Sequence, residues 1–233
     1  MQTQNWGRTA RGRAVVWMGS ALLASAILGG NGACNNNPSE GKSIAKVSEP
    51  AQVAQQLGTA TAANKYVFSN AASKIEFVGA KVTRKHDGAF NVFSGALDLV
   101  DGDPTKSNVS VEIATASLTA DDPKLTSHLK SADLLDVEKF PKATFASTAI
   151  QTGGESGATH TVTGNFSLHG VTKSITFPVK VKVAAQAVDV DAEFAINRKD
   201  FGVVYPGMPD DLIKDDVLIK LKLHGMKMPS ASP

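Results

Sequence analysis

The sequence contains very little cysteine, and its acidic and basic side chains balance once the first residues are set aside. Cys34 is the single cysteine among 233 residues, which excludes an intrachain disulfide and a metal site built from cysteines. Residues 1–33 contain three arginines and no acid, so the remainder of the chain carries 21 basic and 22 acidic side chains. Without a basic surplus there is no electrostatic argument for nucleic-acid binding.

The sequence also lacks the local motifs of catalysis and metal binding. Its five histidines show neither the H-x-x-x-H nor the H-E-x-x-H spacing that would place two imidazoles on one metal ion. Ser167 and His169 lie between two glycines, but the spacing is not that of the nucleophile elbow G-x-S-x-G. We therefore expect no catalytic residue, no metal and no cofactor.

Strand periodicity is the clearest positive signal, and it is strongest over residues 159–183. Apolar and polar residues alternate one by one there, with a short break at Gly170. Successive side chains of a strand point to opposite faces, so the alternation predicts strands with one buried and one solvated face. Residues 169–173 are then expected to close the two runs into an antiparallel hairpin.

Similar runs, separated by turns rich in Gly, Asp, Asn or Pro, predict a β domain over residues 65–227. No long amphipathic helix interrupts them, which favours antiparallel connections. Because closure removes exposed sheet edges, the pattern predicts an all-β antiparallel barrel of about eight strands. The predicted strands cover residues 66–69, 74–83, 89–99, 108–115, 143–149, 159–168, 174–184, 187–196 and 216–224.

One segment departs from the strand pattern and predicts a short helical insertion near one mouth of the barrel. Asp122 is a suitable N-cap, and Pro123 fits the first helical position. Residues 124–141 carry leucines that are expected to lie over the opening, so we expect the insertion to control access to the interior. These leucines are Leu125, Leu129, Leu134 and Leu135.

Residues 1–33 have the features of an export signal. The three arginines precede an apolar run over residues 14–28, which is short for a membrane-spanning helix of about 20 apolar residues. The sequence then reaches Gly-Ala-Cys34, which resembles the end of a bacterial lipobox and predicts acylation of Cys34. An ordinary secretory signal with an incidental cysteine is the alternative.

An acylated Cys34 would attach the protein to a membrane surface without spanning it. Asn35 follows the cysteine, in place of the aspartate that retains many such lipoproteins at the inner membrane, so the outer membrane is favoured. Residues 34–64 are mostly small and polar, which predicts a flexible tether between the anchor and the barrel.

Four stretches of the predicted domain, taken in order, resemble the YceI-like lipid- or polyisoprenoid-binding proteins. They are residues 128–141 with 144–147, then 164–173, 194–202 and 213–217. The resemblance implies a lipocalin-like barrel in the periplasm with an elongated apolar interior. It also implies a noncatalytic function, the binding, transport or storage of a long isoprenoid such as a quinone or a polyprenyl phosphate. The motif positions that recur in the family are His128, Leu134, Phe140, Phe145, His169, Arg198 and Phe201.

Strand phase then selects candidates for the interior wall. They lie in the apolar phase of their strands and are Phe145, Phe166, Ile175, Phe177, Phe194, Ile196, Ile219 and Leu221. Arg198 directly follows one of these strands, where its guanidinium could bind a quinone carbonyl or a phosphate. The alternative is that Arg198 pairs with a nearby acid such as Asp200. Leu134, Phe140 and Phe201 complete the expected ligand site.

Other functions stay open on the sequence. Small barrels are more often filled by side chains than open, and a filled barrel would be a ligand-free interaction module of the envelope or a stress-related module. An enzyme is a third hypothesis, which the absence of a nucleophile–base spacing disfavours. Assembly as a homodimer is also left open.

Overall fold

The structure, a computed structural model, describes residues 36–51 and 64–229. Within those residues the chain is mostly β-strand, with the short helix α1 (Pro123–Lys130). The strands in chain order are β1 (Ser43–Ile44), β2 (Lys46–Ser48), β3 (Asn64–Ser69), β4 (Lys74–Ala80), β5 (Lys85–Phe90), β6 (Phe93–Val100), β7 (Asp103–Ala114), β8 (Leu118–Ala120), β9 (Lys142–Thr152), β10 (His160–Leu168), β11 (Val171–Val183), β12 (Ala187–Asn197), β13 (Gly207–Met208), β14 (Asp211–Leu212) and β15 (Asp216–Lys227).

Eight strands close into an antiparallel barrel in the order β3, β6, β7, β9, β10, β11, β12 and β15. Closure depends on β15, which pairs with β12 along one edge and with β3 at Met226 and Lys227 on the other. Strand β4 pairs with β15 at residues 218–222, on the same edge as β3, and β5 and β8 continue the sheet from β4. The predicted all-β barrel with one short helix is confirmed.

The two ends of the barrel differ in what covers them. One end, called the α1 end here, holds α1, the β10–β11 turn and the 3₁₀ turn Arg198–Phe201. The far end holds the β6–β7, β9–β10 and β11–β12 turns. The predicted cap of α1 is present, since the Asp122 carboxylate accepts a 2.9 Å hydrogen bond from the Leu125 amide. That bond lowers the pKa of Asp122 below its usual value.

The alternating stretch forms the predicted hairpin, with β10 paired to β11 from His160↔Val179 to Leu168↔Val171. Its turn contains only His169 and Gly170, with φ of 50° and 75°. Positive φ at both positions is the type I′ geometry, whose twist matches that of the flanking strands. The five-residue loop expected from the sequence is therefore too long, because β11 already begins at Val171.

Gly170→Ala is expected to lower the free energy of unfolding by about 2 kcal/mol or more. A left-handed backbone costs an L residue about 1–2 kcal/mol, and the new Cβ would lie 2.5 Å from Cε1 of Phe140. Gly102→Ala is the matched control, because Gly102 has φ of 72° but no atom within 4 Å of its Cβ position. Urea denaturation of both variants measures the difference, and equal losses would contradict the proposed clash.

The prediction of a flexible tether over residues 34–64 is wrong for residues 36–51, which lie on the barrel. Strand β1 pairs in parallel with β12, and β2 pairs antiparallel with β11. Ala45 is 5% exposed and belongs to the barrel core. Polar composition suggests a linker, but two apolar residues in alternate positions are enough to seat this short segment. The predicted signal peptide at 1–33, Cys34 and residues 52–63 lie outside the described residues.

The sequence pattern also fails to separate β5 from β6 and does not predict β8. It expects a single strand over residues 89–99, whereas the chain turns at Asn91 and Val92. The Asn91 amide group bonds the Ser117 carbonyl at 3.0 Å and the Thr119 hydroxyl at 2.9 Å. These contacts to residues 117–119 stabilise the turn. The alternation of apolar and polar residues along 89–99 does not indicate them.

Candidate functional site

The barrel encloses an apolar cavity of about 150 Å³. Among the described residues, its wall contains no charged side chain, and the Tyr66 hydroxyl is the one side-chain polar group that lines it. That hydroxyl lies 3.5 Å from the Ala185 carbonyl. A wall of this composition favours hydrocarbon over any charged or strongly hydrated group.

The cavity extends along the barrel rather than forming a compact chamber. Tyr66 belongs to its wall, next to the last residues of β15 at the far end. Phe166 also belongs to the wall and lies two residues before the end of β10 at the α1 end. An extended chain therefore fits the shape of the space better than a ring system.

All eight wall candidates selected by strand phase line the cavity. They face inward because the alternation of each strand fixes which side chains share a face. Phe177 and Phe194 stack at a centroid distance of 4.1 Å with 16° between their planes, and Phe145 lies 5.7 Å from Phe177. Contact of these residues with a ligand stays a prediction.

Much of the remaining wall consists of residues that are not among the candidates predicted from the sequence. These residues come from strands β3–β7, β9–β12 and β15, and β7 contributes four of them. Examples are Tyr66, Phe68, Leu97, Val109, Val111, Val188 and Val190.

Arg198 is not among the residues that line the cavity, and its guanidinium makes hydrogen bonds within the protein. The side chain is 6% exposed. Nη1 donates to the Val203 carbonyl at 2.6 Å and Nε donates to the Lys214 carbonyl at 3.1 Å. Nη2 lies 3.3 Å from the Asp215 carboxylate. The structure thus agrees with the alternative interpretation of an ion pair, with Asp215 in place of the expected Asp200.

The electrostatics of Arg198 follow from this burial. Loss of water around the guanidinium lowers its pKa, and the carboxylate of Asp215 partly opposes that shift. Three acceptors from Val203, Lys214 and Asp215 compensate the buried charge. Arg198 therefore joins the 3₁₀ turn to the loop before β15, and the expected headgroup contact has no support from its placement.

The other three expected site residues also lie off the wall, at the α1 end. Phe201 has no exposed surface, and its ring packs against Phe166 at 5.2 Å. Phe140 packs edge-on against His169 at 4.7 Å, and Leu134 is 4% exposed. These side chains lie at the α1 end, while the covering of the opening by the insertion and its control of access stay predictions.

The positions that recur in the family are thus mostly brought together at one end rather than around the cavity. His128 packs against Tyr205 at 5.0 Å and lies 3.2 Å from Asp133. Nδ1 of His169 is buried and has no hydrogen-bond partner among the residues that the structure describes, an arrangement that costs free energy. Of the seven positions, Phe145 alone lines the cavity.

The described residues hold no group of three or more side chains arranged to bind a metal ion. None of the helices in the described part of the chain is long and apolar enough to cross a bilayer.

Comparison with known proteins places the barrel in a family. A family model described as the YceI-like domain matches residues 66–224, nearly the whole barrel. The chain belongs to the YceI-like family. Its similar proteins include a UPF0312 protein of Pseudomonas putida (strain W619), 35% identical over 139 residues, 57% of this chain and 71% of that protein. A UPF0312 protein of Pseudomonas fluorescens (strain SBW25) is 33% identical over 146 residues, 60% of this chain and 73% of the relative.

Solved structures share the YceI-like barrel. BcnA of Burkholderia cenocepacia is 26% identical with a TM-score of 0.59, covering 67% of this chain and 98% of BcnA. A polyisoprenoid binding domain from Saccharophagus degradans, implicated in plant cell wall breakdown, is 16% identical with a TM-score of 0.56. That match covers 71% of this chain and 99% of the domain, and at this identity it establishes a common fold.

Proposed function

We propose that this YceI-like barrel binds one long isoprenoid lipid by its hydrocarbon tail and acts without catalysis as a carrier or reservoir. The observation that carries the proposal is the axial cavity, whose wall has no charged side chain from residues 36–51 or 64–229. Membership of the YceI-like family supports it, as does the shared fold with a polyisoprenoid binding domain.

The energetics favour long ligands. Burial of a methylene contributes about 0.8 kcal/mol, so roughly ten carbons supply about 8 kcal/mol before costs. Loss of translational freedom and ordering of the ligand and side chains reduce this binding free energy by several kcal/mol. Roughly micromolar binding therefore requires a longer chain. Affinity should therefore depend on chain length more than on headgroup.

The wall also bears on the choice of headgroup. The described part of the wall offers the hydroxyl of Tyr66 and no cation. A phosphate would be an unpaired charge in this interior, which is strongly unfavourable. A neutral headgroup such as a quinone is therefore the better candidate for burial, while a polyprenyl phosphate would bind with its phosphate in water.

Chain length gives the direct test, with Phe177→Trp as reporter. The chain has two tryptophans, Trp6 and Trp17, both within the proposed signal, so the domain provides no competing emission. Titration with isoprenols of increasing length should give a fluorescence change whose midpoint falls to lower concentration as the chain grows. Mass spectrometry of solvent extracts from purified protein then identifies the natural lipid.

A specific observation favours a second function. The cavity of about 150 Å³ is smaller than the roughly 300–1,000 Å³ of small-molecule pockets. A barrel that stays this full would act as an interaction module of the envelope without a lipid. In that case Phe177→Trp would remain folded and respond to no isoprenol of any length.

We also propose that the protein is exported to the periplasm and anchored through Cys34. An anchor there leaves only Asn35 before the docked segment that begins at Asn36, whose side chain donates to the Val82 carbonyl at 2.8 Å. The barrel would then lie close to the membrane, instead of extending from it on a long tether.

Cys34→Ser is expected to move the protein from the membrane fraction to the soluble periplasm, because it removes the acylated side chain. Fractionation of cells expressing each form, with immunoblotting, measures the shift. Glu40→Ser, a serine replacement at an exposed residue, is the control, and this variant should stay with the membrane. Soluble wild-type protein would show that the anchor hypothesis is wrong.

A further inference from the structure

The barrel wall has a seam between β11 and β12. These strands pair with each other only from Lys180↔Asp191 to Val183↔Val188, at the far end. Toward the α1 end their hydrogen-bonding edges separate, although β11 continues back to Val171 and β12 continues on to Asn197. The wall would be open there if it consisted of these two strands alone.

Residues 43–48, called the strap here, fill the seam. On one side Ser43 and Ile44 pair with Phe194 and Ala195 of β12. On the other side residues 46–48 pair with residues 174–176 of β11. Between the two, the Ala45 amide donates to the Ala195 carbonyl at 2.8 Å. The strap is thus inserted between two strands of the barrel as a short additional strand.

The strap forms part of the apolar core rather than lying over it. Ala45 is buried with Phe177 and Phe194, and Val47 packs against the same cluster. Ile44, in the opposite phase, is 60% exposed. Since Phe177 and Phe194 line the cavity and stack with each other, displacement of the strap would uncover a slot leading to the cavity.

The strap is held by much shorter ladders than the longest ones of the wall, although β3 and β15 also pair over only two residues. It pairs over two residues with β12 and three with β11, whereas β12 and β15 pair along eleven residues. Its flanking ion pairs, Lys42–Glu193 and Lys173–Glu49, are solvent-exposed and contribute little. Segments held by few buried contacts are those that open most readily.

In the part of the chain that the structure describes, the ends of the barrel offer no comparable route. At the far end Tyr66, Leu97, Leu99 and Val188 form a buried cluster. At the α1 end Phe201 has no exposed surface and contacts Phe166 of the wall. A chain that threaded through either end would have to displace buried side chains of the core.

We propose that residues 43–48 form a lateral gate, and that an isoprenoid tail reaches the cavity through the seam when the strap moves away. The gate rests on the proposed lipid-binding function and adds the route of access to it. A lateral slot lets a long chain enter side-on along its length. The strap lies in the segment that follows Cys34, so an anchored protein would hold its gate near the membrane that supplies the lipid.

A reversible crosslink across the seam tests the gate. In a chain carrying Cys34→Ser, Lys46→Cys and Thr176→Cys replace two outward-facing register partners on the strap and β11. Ser110→Cys with Ala146→Cys is the matched control, a register pair on the opposite wall between β7 and β9. Uptake of dansyl-labelled geranylgeraniol is followed by stopped-flow fluorescence with each disulfide oxidised and then reduced.

Oxidation of the seam pair is expected to slow uptake by about tenfold or more, with recovery on reduction and with no change in the control pair. Affinity after long incubation should be unchanged, because a gate alters rates rather than the bound state. Equal uptake rates in both oxidised proteins would overturn the gate and leave the proposed function standing. No uptake by the parent protein would overturn the proposed function, and the gate with it.

Hydrogen exchange supplies a readout that needs no ligand. The Ala45 amide should exchange about 100-fold faster than the paired amides of β12 and β15, because it opens locally rather than with the whole barrel. Exchange of Ala45 as slow as that of the β12–β15 ladder would show that the strap does not open on its own, and would overturn the gate.

Discussion

Phe194→Asp is expected to leave the barrel largely unfolded. Phe194 is 3% exposed and stacks on Phe177 within a wall whose described residues include no cation. An unpaired carboxylate at this position costs several kcal/mol, which is comparable with the roughly 5–15 kcal/mol that stabilises a whole domain. Urea denaturation followed by circular dichroism measures the loss.

Phe194→Leu is the control, because it keeps an apolar side chain and should cost about 1.5 kcal/mol through lost ring contacts. Acid should partly restore the aspartate variant. Burial raises the pKa of a carboxyl group, so its penalty is greatest at neutral pH and declines as the pH falls through the raised value. A variant with nearly parental stability at neutral pH would mean that the interior is wet, which the proposed lipid site does not permit.

The interior wall could be predicted from the sequence because the strand period of two fixes the face to which each side chain points. Once Phe177 and Phe194 lie in the apolar phase of their strands, the pleat decides that they face inward. The same rule placed Ile175, Ile196 and Ile219 correctly on the wall. Residues within regular strands were predictable for this reason.

Residues beyond strand ends were not predictable in this way. Arg198 comes one residue after β12, where the chain enters a 3₁₀ turn and the alternation no longer fixes direction. Its direction is set by Val203, Lys214 and Asp215, which lie on a loop that returns from farther along the chain. The family resemblance identified Arg198 as a recurring residue, but recurrence did not distinguish a structural ion pair from a ligand contact.

The strap was missed for a different reason. Residues 43–48 alternate, with Ala45 and Val47 inward, but so short a run also occurs by chance in a polar linker. Its pairing partners in β11 and β12 lie more than a hundred residues away. The strap can pair with both strands only because β11 and β12 separate toward the α1 end. The local sequence pattern of residues 43–48 does not indicate that separation.

Gly164→Ala is expected to reduce affinity for long isoprenoids by about tenfold or more, since about 1.4 kcal/mol of lost contact corresponds to a factor of ten. The Phe145 ring lies over this glycine, so a Cβ would come within 2.4 Å of Cζ of Phe145. The ring has to move, and Phe145 is part of the cavity wall. A Cβ would also meet the Ala146 carbonyl at 2.6 Å, so the variant should lose stability as well.

Gly88→Ala separates the two effects. There a Cβ would lie 2.2 Å from Cζ of Phe77 and 2.7 Å from the Thr119 carbonyl, which reproduces the steric conflict at Gly164. Phe77 does not line the cavity. Both variants should therefore lose a similar amount of stability in urea, while isoprenol titrations monitored through Phe177→Trp should weaken only with Gly164→Ala. Equal affinity in the two proteins would show that Phe145 does not set the space available to the ligand.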